Sequence, residues 1–598
     1  MQKNNSSHWT NIVELESLLY FAQRINEALF DYTIDTFKPR VLNTSTLIFE
    51  ALSVYHDVKA DKIDAKNLNY VIEELNWSFS QDKVAKKILG NEREIYFPIV
   101  DSGKKNDLKL KLELLQKKLT PNIYLQETKE FLSISVKENK KKDIDSGIGN
   151  FISTLKTTGF SQGYLFHQTH KFFFNPTKQI NSLNQIDDFL NIFELKPLRF
   201  NCIFKVSKDF EEISKSYEKF KISKVETADI QNYEHNGDDF VSSLSENEIF
   251  VKYENVSAFD INSSRKKAYH LLNKFRDYFA FYHHKEKFSI SSDCLAKLNQ
   301  EDGNSWALVK CPNSPMAKGF DKKKEKAAKQ LEKFLTLVDL APTSIGKIDR
   351  AIDLHGLSIE STNLENQILN LWISLEMLIP QSTESSKIQQ ITNTLIPFLS
   401  ISYFQKLIRY LAQGITNWHY HKARKYISKV PKDYGKNLIE RYTAFLCLPE
   451  FEDDRNDLLA ELDDFPLLRN RLFTFNELFT KPESIINYLE NHNKKLFWHL
   501  RRIYRTRNQI IHDGKKIGYL ETLIENGHNY FDTFLNTIII LNIKNRQIYS
   551  LEQGIKKIEL LYNYQTSFLK KNKEEEIKKD NYLDMILGEI RHYSQHGI

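Results

Sequence analysis

Cysteine is scarce in this chain of 598 residues, which has four: Cys202, Cys294, Cys311 and Cys447. No two of them have the short spacing of paired metal ligands, and they indicate no disulfide framework. The chain also lacks a long apolar run, because the longest, at residues 537–543, is far too short to span a bilayer. Its first residues lead into no apolar signal core. These absences predict a cytoplasmic protein without a membrane-spanning helix.

Neither sign of charge dominates. There are 84 Lys and Arg residues against 78 Asp and Glu, which gives a formal net charge of +6. So small an excess is compatible with a nucleic-acid partner but does not require one. We find no Gly-rich phosphate-binding loop, no nucleophile elbow and no internal repeat of fixed period, so these signatures assign no function.

Hydrophobic residues make up 41% of the chain, including 40 Phe and 28 Tyr, so several well-packed units are expected. The patterning predicts a mainly α, α+β multidomain fold. Residues 1–145 are expected to form a mainly helical N-terminal region and residues 146–345 a mixed α/β module. Residues 346–560 are expected to form a helical bundle, followed by a charged helix or tail at residues 561–598.

The middle module is expected to contain strands, because aromatic and β-branched residues are concentrated there. Four segments are typical of strands: residues 164–167, 171–174, 200–206 and 249–253. Residues 258–284 predict a helix. In the N-terminal region, residues 108–112 fit a strand or a helix equally well.

The sharpest local anomaly lies in a long helical pattern that begins near Pro482. One face of this helix steps by four, three, four and three residues through Leu496, Leu500, Ile503, Arg507 and Ile510. Arg507 therefore occupies a position that the pattern assigns to an aliphatic residue. A desolvated guanidinium is costly unless it is paired. Either Arg507 has a partner, or this face borders a groove that receives an anion.

The helical spacing places further polar residues beside Arg507. Asn508 and His512 lie one turn apart, about 40° from alignment, and Tyr504 extends the same line. Arg507 and His512 are about 140° apart and flank a groove with Asn508 between them. Gly514 is the expected C-cap, so His512 lies in the last turn, where the helix dipole favours a protonated imidazole.

This arrangement fits cleavage of RNA without a metal. His512 would transfer protons at the ribose 2′-OH or the 5′-oxygen, and Arg507 would hold the phosphate with its planar fork. Asn508 would orient the ribose or the imidazole. Three nearby arginines add positive charge: Arg501, Arg502 and Arg505. The same spacing also fits an ordinary amphipathic helix with a snorkelling arginine and a capping histidine, and geometry alone leaves both interpretations open.

The segment Tyr504-Arg505-Thr506-Arg507-Asn508-Gln509-Ile510-Ile511-His512-Asp513-Gly514 resembles the signature of HEPN domains. In that family an Arg, usually followed by a polar residue, precedes a His by four to six positions near a helix end. Arg507, Asn508 and His512 match this pattern. Residues 370–378 look like the first helix of HEPN domains in anti-phage proteins of the Apea-like kind. The resemblance covers roughly residues 349–548.

The resemblance implies a metal-independent endoribonuclease that needs no cofactor and leaves a 2′,3′-cyclic phosphate. It implies a homodimer whose two motifs face each other, with Arg507, Asn508 and His512 as catalytic residues. Tyr504 and Arg505 are expected to support them.

The resemblance also suggests a partner for Arg507 and a role for the rest of the chain. Glu376, at the edge of the apolar face of residues 364–379, is expected to pair with Arg507 when RNA is absent. The chain would belong to a prokaryotic anti-phage (abortive infection) or toxin system and would cut RNA, with transfer RNA as one candidate. The N-terminal two-thirds would sense a phage-derived trigger or restrain the nuclease, with an antitoxin as a further candidate partner.

Two other functions are compatible with the sequence. One is a HEPN-type module that binds RNA or a protein without cutting. The other is a metal-dependent nuclease built on the acidic residues between 450 and 464, although a solvated helix face is favoured there because no basic or nucleophilic residue is interleaved in catalytic spacing. His167 and His170 have metal-like spacing but no nearby carboxylate, so no metal site is expected.

Overall fold

The computed structural model describes residues 7–30, 40–100, 107–230, 233–234, 237–285, 288–299, 305–317, 321–380, 386–514, 517–544 and 548–593. Within these ranges the chain is mainly helical with one small antiparallel sheet, which confirms the expected mainly α, α+β fold class. None of the described helices has the length and apolar composition needed to cross a bilayer. The N-terminal residues 1–6, in which no signal core was expected, lie outside the described ranges.

The part of the chain before the sheet is helical. Its helices are α1 (Glu16–Leu29), α2 (Thr44–Lys59), α3 (Lys66–Gln81), α4 (Lys83–Leu89), α5 (Arg93–Tyr96), α6 (Asp107–Lys118), α7 (Pro121–Lys137), α8 (Lys141–Thr158), α9 (Gln162–Phe173) and α10 (Gln185–Asn191). Residues 108–112, which fitted a strand or a helix equally well, lie in α6. The prediction of a mainly helical N-terminal region is confirmed.

The strands predicted at residues 164–167 and 171–174 are wrong, because residues 164–173 lie in α9 and Phe174 is its C-cap. The Ser161 side chain accepts a hydrogen bond from the backbone N–H of Tyr164 and caps the helix. The buried residues Leu165, Thr169 and Phe172 recur at helical spacing. Aromatic residues favour strands by propensity, but here the cap and the period of burial determine the structure.

The sheet lies between residues 198 and 309. Its elements are β1 (Leu198–Ser207), β2 (Ile222–Val225), α11 (Asp238–Ser242), β3 (Glu248–Ala258), α12 (Ile261–Tyr282), β4 (Cys294–Leu298) and β5 (Ala307–Val309). The strand order is β2-β3-β1-β4-β5, and the paired strands are antiparallel, with Phe204 opposite Val251 in the central pair. The strands predicted at 200–206 and 249–253 and the following helix are confirmed.

After the sheet the chain is again helical. These helices are α13 (Lys324–Leu337), α14 (Pro342–Glu360), α15 (Leu364–Leu378), α16 (Lys387–Ser400), α17 (Tyr403–Trp418), α18 (Tyr420–Ser428), α19 (Leu438–Cys447), α20 (Glu452–Glu461), α21 (Pro466–Phe479), α22 (Pro482–Asp513), α23 (Leu520–Lys544), α24 (Leu551–Lys571) and α25 (Tyr582–Ile586). Each of the three boundaries expected from the sequence, after residues 145, 345 and 560, falls inside a continuous helix: α8, α14 and α24.

Helix α22 runs through two hydrophobic cores. Near its start, Ile485 and Leu489 are buried in a core that also contains residues of α1, α7–α10 and α17–α21. Further along, Leu500 and Ile503 are buried in a second core, formed with α14–α16, α23 and α24. A third core, formed mainly by α2, α3, α4 and α6, lies in the N-terminal region. The C-terminal half of α22 therefore belongs to the bundle that carries the Arg507 motif.

Candidate functional site

The helix that carries the motif has the ends that the sequence predicts. Pro482 occupies the first turn, where its missing N–H costs nothing. Gly514 adopts the left-handed conformation with φ 57°, and its N–H donates to the carbonyls of Gln509 and Ile510. The seam residues Leu496, Leu500, Ile503 and Ile510 are buried, as predicted. His512 consequently lies in the last turn of a capped helix.

Arg507 is half-buried and is not paired with a carboxylate among the described residues. Its Nη1 donates a hydrogen bond to Oδ1 of Asn508 at 3.0 Å. Its Nε is buried and has no hydrogen-bond partner in the described part of the chain. Because buried guanidinium nitrogens are normally satisfied, Arg507 retains unused capacity to bind an acceptor.

His512 is exposed, and Ile511 beside it is 46% exposed. No hydrogen bond or ion pair joins the His512 side chain to another residue that the structure describes. Asn508 is half-buried between Arg507 and His512 along the helix. The solvent-exposed imidazole and the guanidinium with an unsatisfied donor are thus carried by residues whose Cα atoms are about 7.5 Å apart along the helix axis.

Glu376 does not pair with Arg507. Its Oε1 lies 2.8 Å from Nζ of Lys387, and its side chain is only 12% exposed. Lys387 is the first residue of α16, and the chain returns there next to the end of α15. The expected Glu376–Arg507 pair is therefore wrong for the structure described here, because a nearer cation occupies the carboxylate.

Tyr504 connects the motif helix to α15. Its ring centroid lies 5.8 Å from that of Trp372, with the planes tilted by 46°. Trp372 is almost completely buried at 1% exposure. Tyr504 was expected to support the motif, and the structure places it in packing between α15 and α22.

Arg502 and Arg505 bind carboxylates from the N-terminal helices and are not open to solvent. The Nη2 of Arg505 donates to Oε1 of Glu50 at 2.9 Å. The Nη2 of Arg502 donates to Oε2 of Glu50 at 2.8 Å and to Oε2 of Glu74 at 2.5 Å. All four side chains have 12% exposure or less. The expectation that these two arginines add positive charge for RNA is wrong while α2 and α3 are in place.

The charges of this buried cluster are strongly coupled. Burial alone would raise the pKa of Glu50, but the guanidiniums of Arg502 and Arg505 outweigh it and lower that pKa to about 2. Burial, together with the charge of Glu50, raises the pKa of Glu74 in spite of Arg502. Glu50 is therefore the charged carboxylate that the two arginines share.

Two more contacts join the N-terminal helices to the same stretch of α22. Gln509 donates from Nε2 to Oδ2 of the buried Asp57 at 2.8 Å. Arg501 stacks over Tyr70 of α3, with its Cζ 3.8 Å from the ring centroid. Burial lowers the pKa of Arg501. The N-terminal region thus contacts α22 immediately before and within the motif.

The sequence of α2 itself contains a signal for its contact with α22. Leu47, Glu50, Val54 and Asp57 step by three, four and three along α2, and Leu47 and Val54 are each 1% exposed. Two acids therefore occupy an otherwise apolar helical seam. The same anomaly that singles out Arg507 also singles out Glu50 and Asp57 as residues that need a cationic or polar partner.

A cavity of about 450 Å³ lies between the N-terminal helices and the middle of α22, and its lining includes none of Arg507, Asn508 and His512. Trp77 and Trp498 line it with ring centroids 5.2 Å apart. It therefore does not coincide with the motif.

The structure gives the surroundings of the other acidic and histidine clusters that the sequence singles out. Asp454 pairs with Lys429, and Glu461 lies 3.1 Å from Nζ of Lys422, so acids of α20 bind lysines in α18 and at its C-terminal end. His170 lies on α9, where burial and the neighbouring His167 lower its pKa. Neither set is a metal-ligating group among the described residues.

No protein-family model matches this chain, and no curated protein or solved structure is detectably similar to it.

Proposed function

We propose that this protein is a HEPN-type endoribonuclease that cleaves RNA without a metal. One observation carries the proposal: the same capped helix end holds the exposed His512 and Arg507, whose Nε has no hydrogen-bond partner in the described part of the chain. The proposal also rests on the resemblance of residues 504–514 to the HEPN signature. Its biological setting would be a prokaryotic anti-phage or toxin system.

The chemistry follows from the two side chains. His512 takes the proton of the ribose 2′-OH or gives one to the 5′-oxygen that leaves, which is general acid–base catalysis. The 2′-oxygen attacks the phosphorus while the bond to the 5′-oxygen breaks, leaving a 2′,3′-cyclic phosphate. Arg507 binds the phosphate through guanidinium N–H groups to which the described part of the chain supplies no acceptor, and it stabilises the charge that develops. Asn508 holds that guanidinium through its Oδ1.

A homodimer would complete the site. Arg507 and His512 of one helix point about 140° apart, so a single phosphate is better enclosed by two motifs that face each other. The exposed Ile511 next to His512 supports this arrangement, because a second subunit would cover an apolar side chain that is otherwise open to water.

The N-terminal region restrains the nuclease in this proposal. Glu50 and Glu74 neutralise Arg502 and Arg505, two cations within two turns of the motif. Displacing α2 and α3 would uncover both guanidiniums and give α22 a basic surface for the RNA backbone. A trigger that binds the displaced form would shift the equilibrium towards it.

The test is RNA cleavage in excess EDTA by wild-type protein, Arg507→Ala and His512→Ala. Cleavage by wild type alone, with a 2′,3′-cyclic phosphate on the product, is the expected result. His421→Ala is the matched control, because His421 is also an exposed histidine on a helix. Equal RNA binding by all variants with no cleavage by wild type would instead establish a binding module. Cleavage that EDTA abolishes while the Tm shows that the protein remains folded would point to a metal-dependent enzyme.

A further inference from the structure

Two histidines and an aspartate converge between α14 and α23. The Nε2 atoms of His355 and His528 lie 2.8 Å apart. Oδ2 of Asp532, one turn after His528 on α23, lies 3.6 Å from Nε2 of His528. One donor atom from each of the three residues falls within 4.8 Å of the others. These residues take no part in the ribonuclease proposal.

This spacing matches one face of a tetrahedral metal site. Zinc binds imidazole nitrogen and carboxylate oxygen at about 2.0–2.2 Å, so two ligands of a tetrahedron lie about 3.3 Å apart. The two distances that involve His528, 2.8 and 3.6 Å, bracket this value. A shift of a few tenths of an ångström would admit the ion.

The spacing within the group also fits a shared cation. One imidazole can donate to the other across 2.8 Å. The Asp532 oxygen at 3.6 Å is too far for a hydrogen bond to His528, yet it lies where a shared cation would hold both.

The surroundings hold the ligands in place. The ring of His355 stacks on Phe531, with centroids 4.9 Å apart and planes 13° from parallel. His528 is buried, whereas the Asp532 side chain is 22% exposed. Two ligands are thus fixed by packing, and the third lies where an ion can enter and where water can take a fourth position.

We propose that His355, His528 and Asp532 form a binding site for one divalent transition-metal ion and that the ion bound under physiological conditions is Zn²⁺. Two imidazoles with one carboxylate suit zinc and its neighbours, whereas Mg²⁺ and Ca²⁺ prefer sites made of oxygen alone. The ion ties α14 to α23. Its site lies next to Gly527, where α23 approaches closely enough that a Cβ would be 3.1 Å from Leu371 of α15.

The ion stabilises the bundle and takes no step in RNA cleavage. Metal that binds only the folded state raises the melting temperature by mass action. We expect stoichiometric Zn²⁺ to raise the Tm of stripped protein by about 2 °C or more.

The experiment uses full-length, tag-free protein stripped with chelator and then freed of it. Titration calorimetry with Zn²⁺ is expected to give one site per chain. Co²⁺ is expected to give the visible absorption bands of a tetrahedral site. His355→Gln, His528→Gln and Asp532→Asn should each weaken binding at least tenfold, whereas the exposed control His421→Gln should leave it unchanged.

Two results would overturn the proposal: no stoichiometric Zn²⁺ binding by wild type, or binding that persists when His355 and His528 are both replaced. Asp532→Asn keeps the side-chain shape at a partly exposed position, so it remains informative if the histidine variants fold poorly. None of these readouts uses RNA, so the ribonuclease proposal and the metal site can fail separately.

Discussion

Arg505 and Glu50 are 455 residues apart in the chain, yet Nη2 of the arginine lies 2.9 Å from Oε1 of the glutamate. The pair joins the helix that carries the Arg507 motif to α2. Glu50 also binds Arg502, so one carboxylate contacts two guanidiniums. The stability of this contact and the exposure of positive charge beside the motif are therefore linked through a single side chain.

Glu50→Gln should destabilise the protein by about 3 kcal/mol at neutral pH, because it leaves Arg505 buried without a carboxylate. Glu74→Gln should cost no more than about 1 kcal/mol, since Arg502 keeps Glu50 and the raised pKa of Glu74 shows that its charge is poorly accommodated. The free energy of unfolding in denaturant measures both. Equal losses of unfolding free energy in the two variants would contradict the predicted difference between Glu50 and Glu74.

The same cluster predicts a pH dependence. The pKa of Glu50 falls from 4.5 to about 2 on folding, so its contribution to stability is present above pH 4.5 and is lost as pH falls towards 2. The pKa of Glu74 is raised, so its contribution has the opposite sign and is lost as pH rises through its folded pKa. Unfolding free energies measured from pH 7 downwards should therefore fall less steeply below pH 4.5 in Glu50→Gln than in wild type. The exposed Glu325→Gln is the control.

His512→Ala should lower the rate of RNA cleavage by about 10²- to 10⁴-fold, the usual contribution of a general acid or base. Because His512 is exposed, its replacement should leave the Tm unchanged within error. Arg507→Lys should also cleave poorly, since a lysine cannot reproduce the planar fork that binds two phosphate oxygens. Single-turnover rates with a defined RNA measure both effects, and a fully active Arg507→Lys would rule out a bidentate clamp.

Glu376→Gln should leave RNA cleavage unchanged. The carboxylate binds Lys387, whose side chain is 47% exposed, so the lost ion pair should change stability by less than about 1 kcal/mol. Cleavage rate and Tm are compared with those of Lys387→Gln as the matched variant. Loss of cleavage in Glu376→Gln alone would instead assign the carboxylate a role at Arg507.

The glycine cap of α22 should determine how stable the last helical turn, which carries His512, is. Gly514 has φ 57°, and a Cβ there would meet no atom within 4 Å, so Gly514→Ala should cost about 1 kcal/mol through backbone strain alone. In Gly514→Ala we expect amide hydrogen exchange in the last turn of α22 to be faster and the rate of RNA cleavage to be lower. Both effects should be smaller in Gly514→Asn, because asparagine adopts the left-handed conformation more readily. Gly346→Ala, at an equally open position within α14, should stabilise by about 0.5 to 1 kcal/mol. If Gly514→Ala and Gly346→Ala change the free energy of unfolding by the same amount, backbone strain at residue 514 does not explain the change.

The sequence predicts the features that depend on neighbouring residues. The span of α22 and its glycine cap follow from helical spacing and from Gly514. The strands at 200–206 and 249–253 follow from alternation. The helix α9 was missed because aromatic propensity favoured strands, although burial at Leu165, Thr169 and Phe172 has a helical period.

Contacts between segments that are far apart in the chain could not be predicted from the sequence. His355 and His528 are 173 residues apart, and only the His528–Asp532 spacing is visible in the sequence. The partner of Glu376 was misassigned because nothing in the sequence indicates that α16 returns beside the end of α15. Glu50 was recognisable as an anomaly in α2, but its partner was not.

Helix α22 is 32 residues long, about 48 Å, and its two halves belong to different cores. A gene fragment that encodes only residues 346–560 would lack α1 and α7–α10, which share a core with Ile485 and Leu489. It would also lack the carboxylates that neutralise Arg502 and Arg505. We therefore expect that residues 346–560 cannot be transferred to another protein as a separate folding unit, and that substitutions in α2 or α3 need matching substitutions in α22.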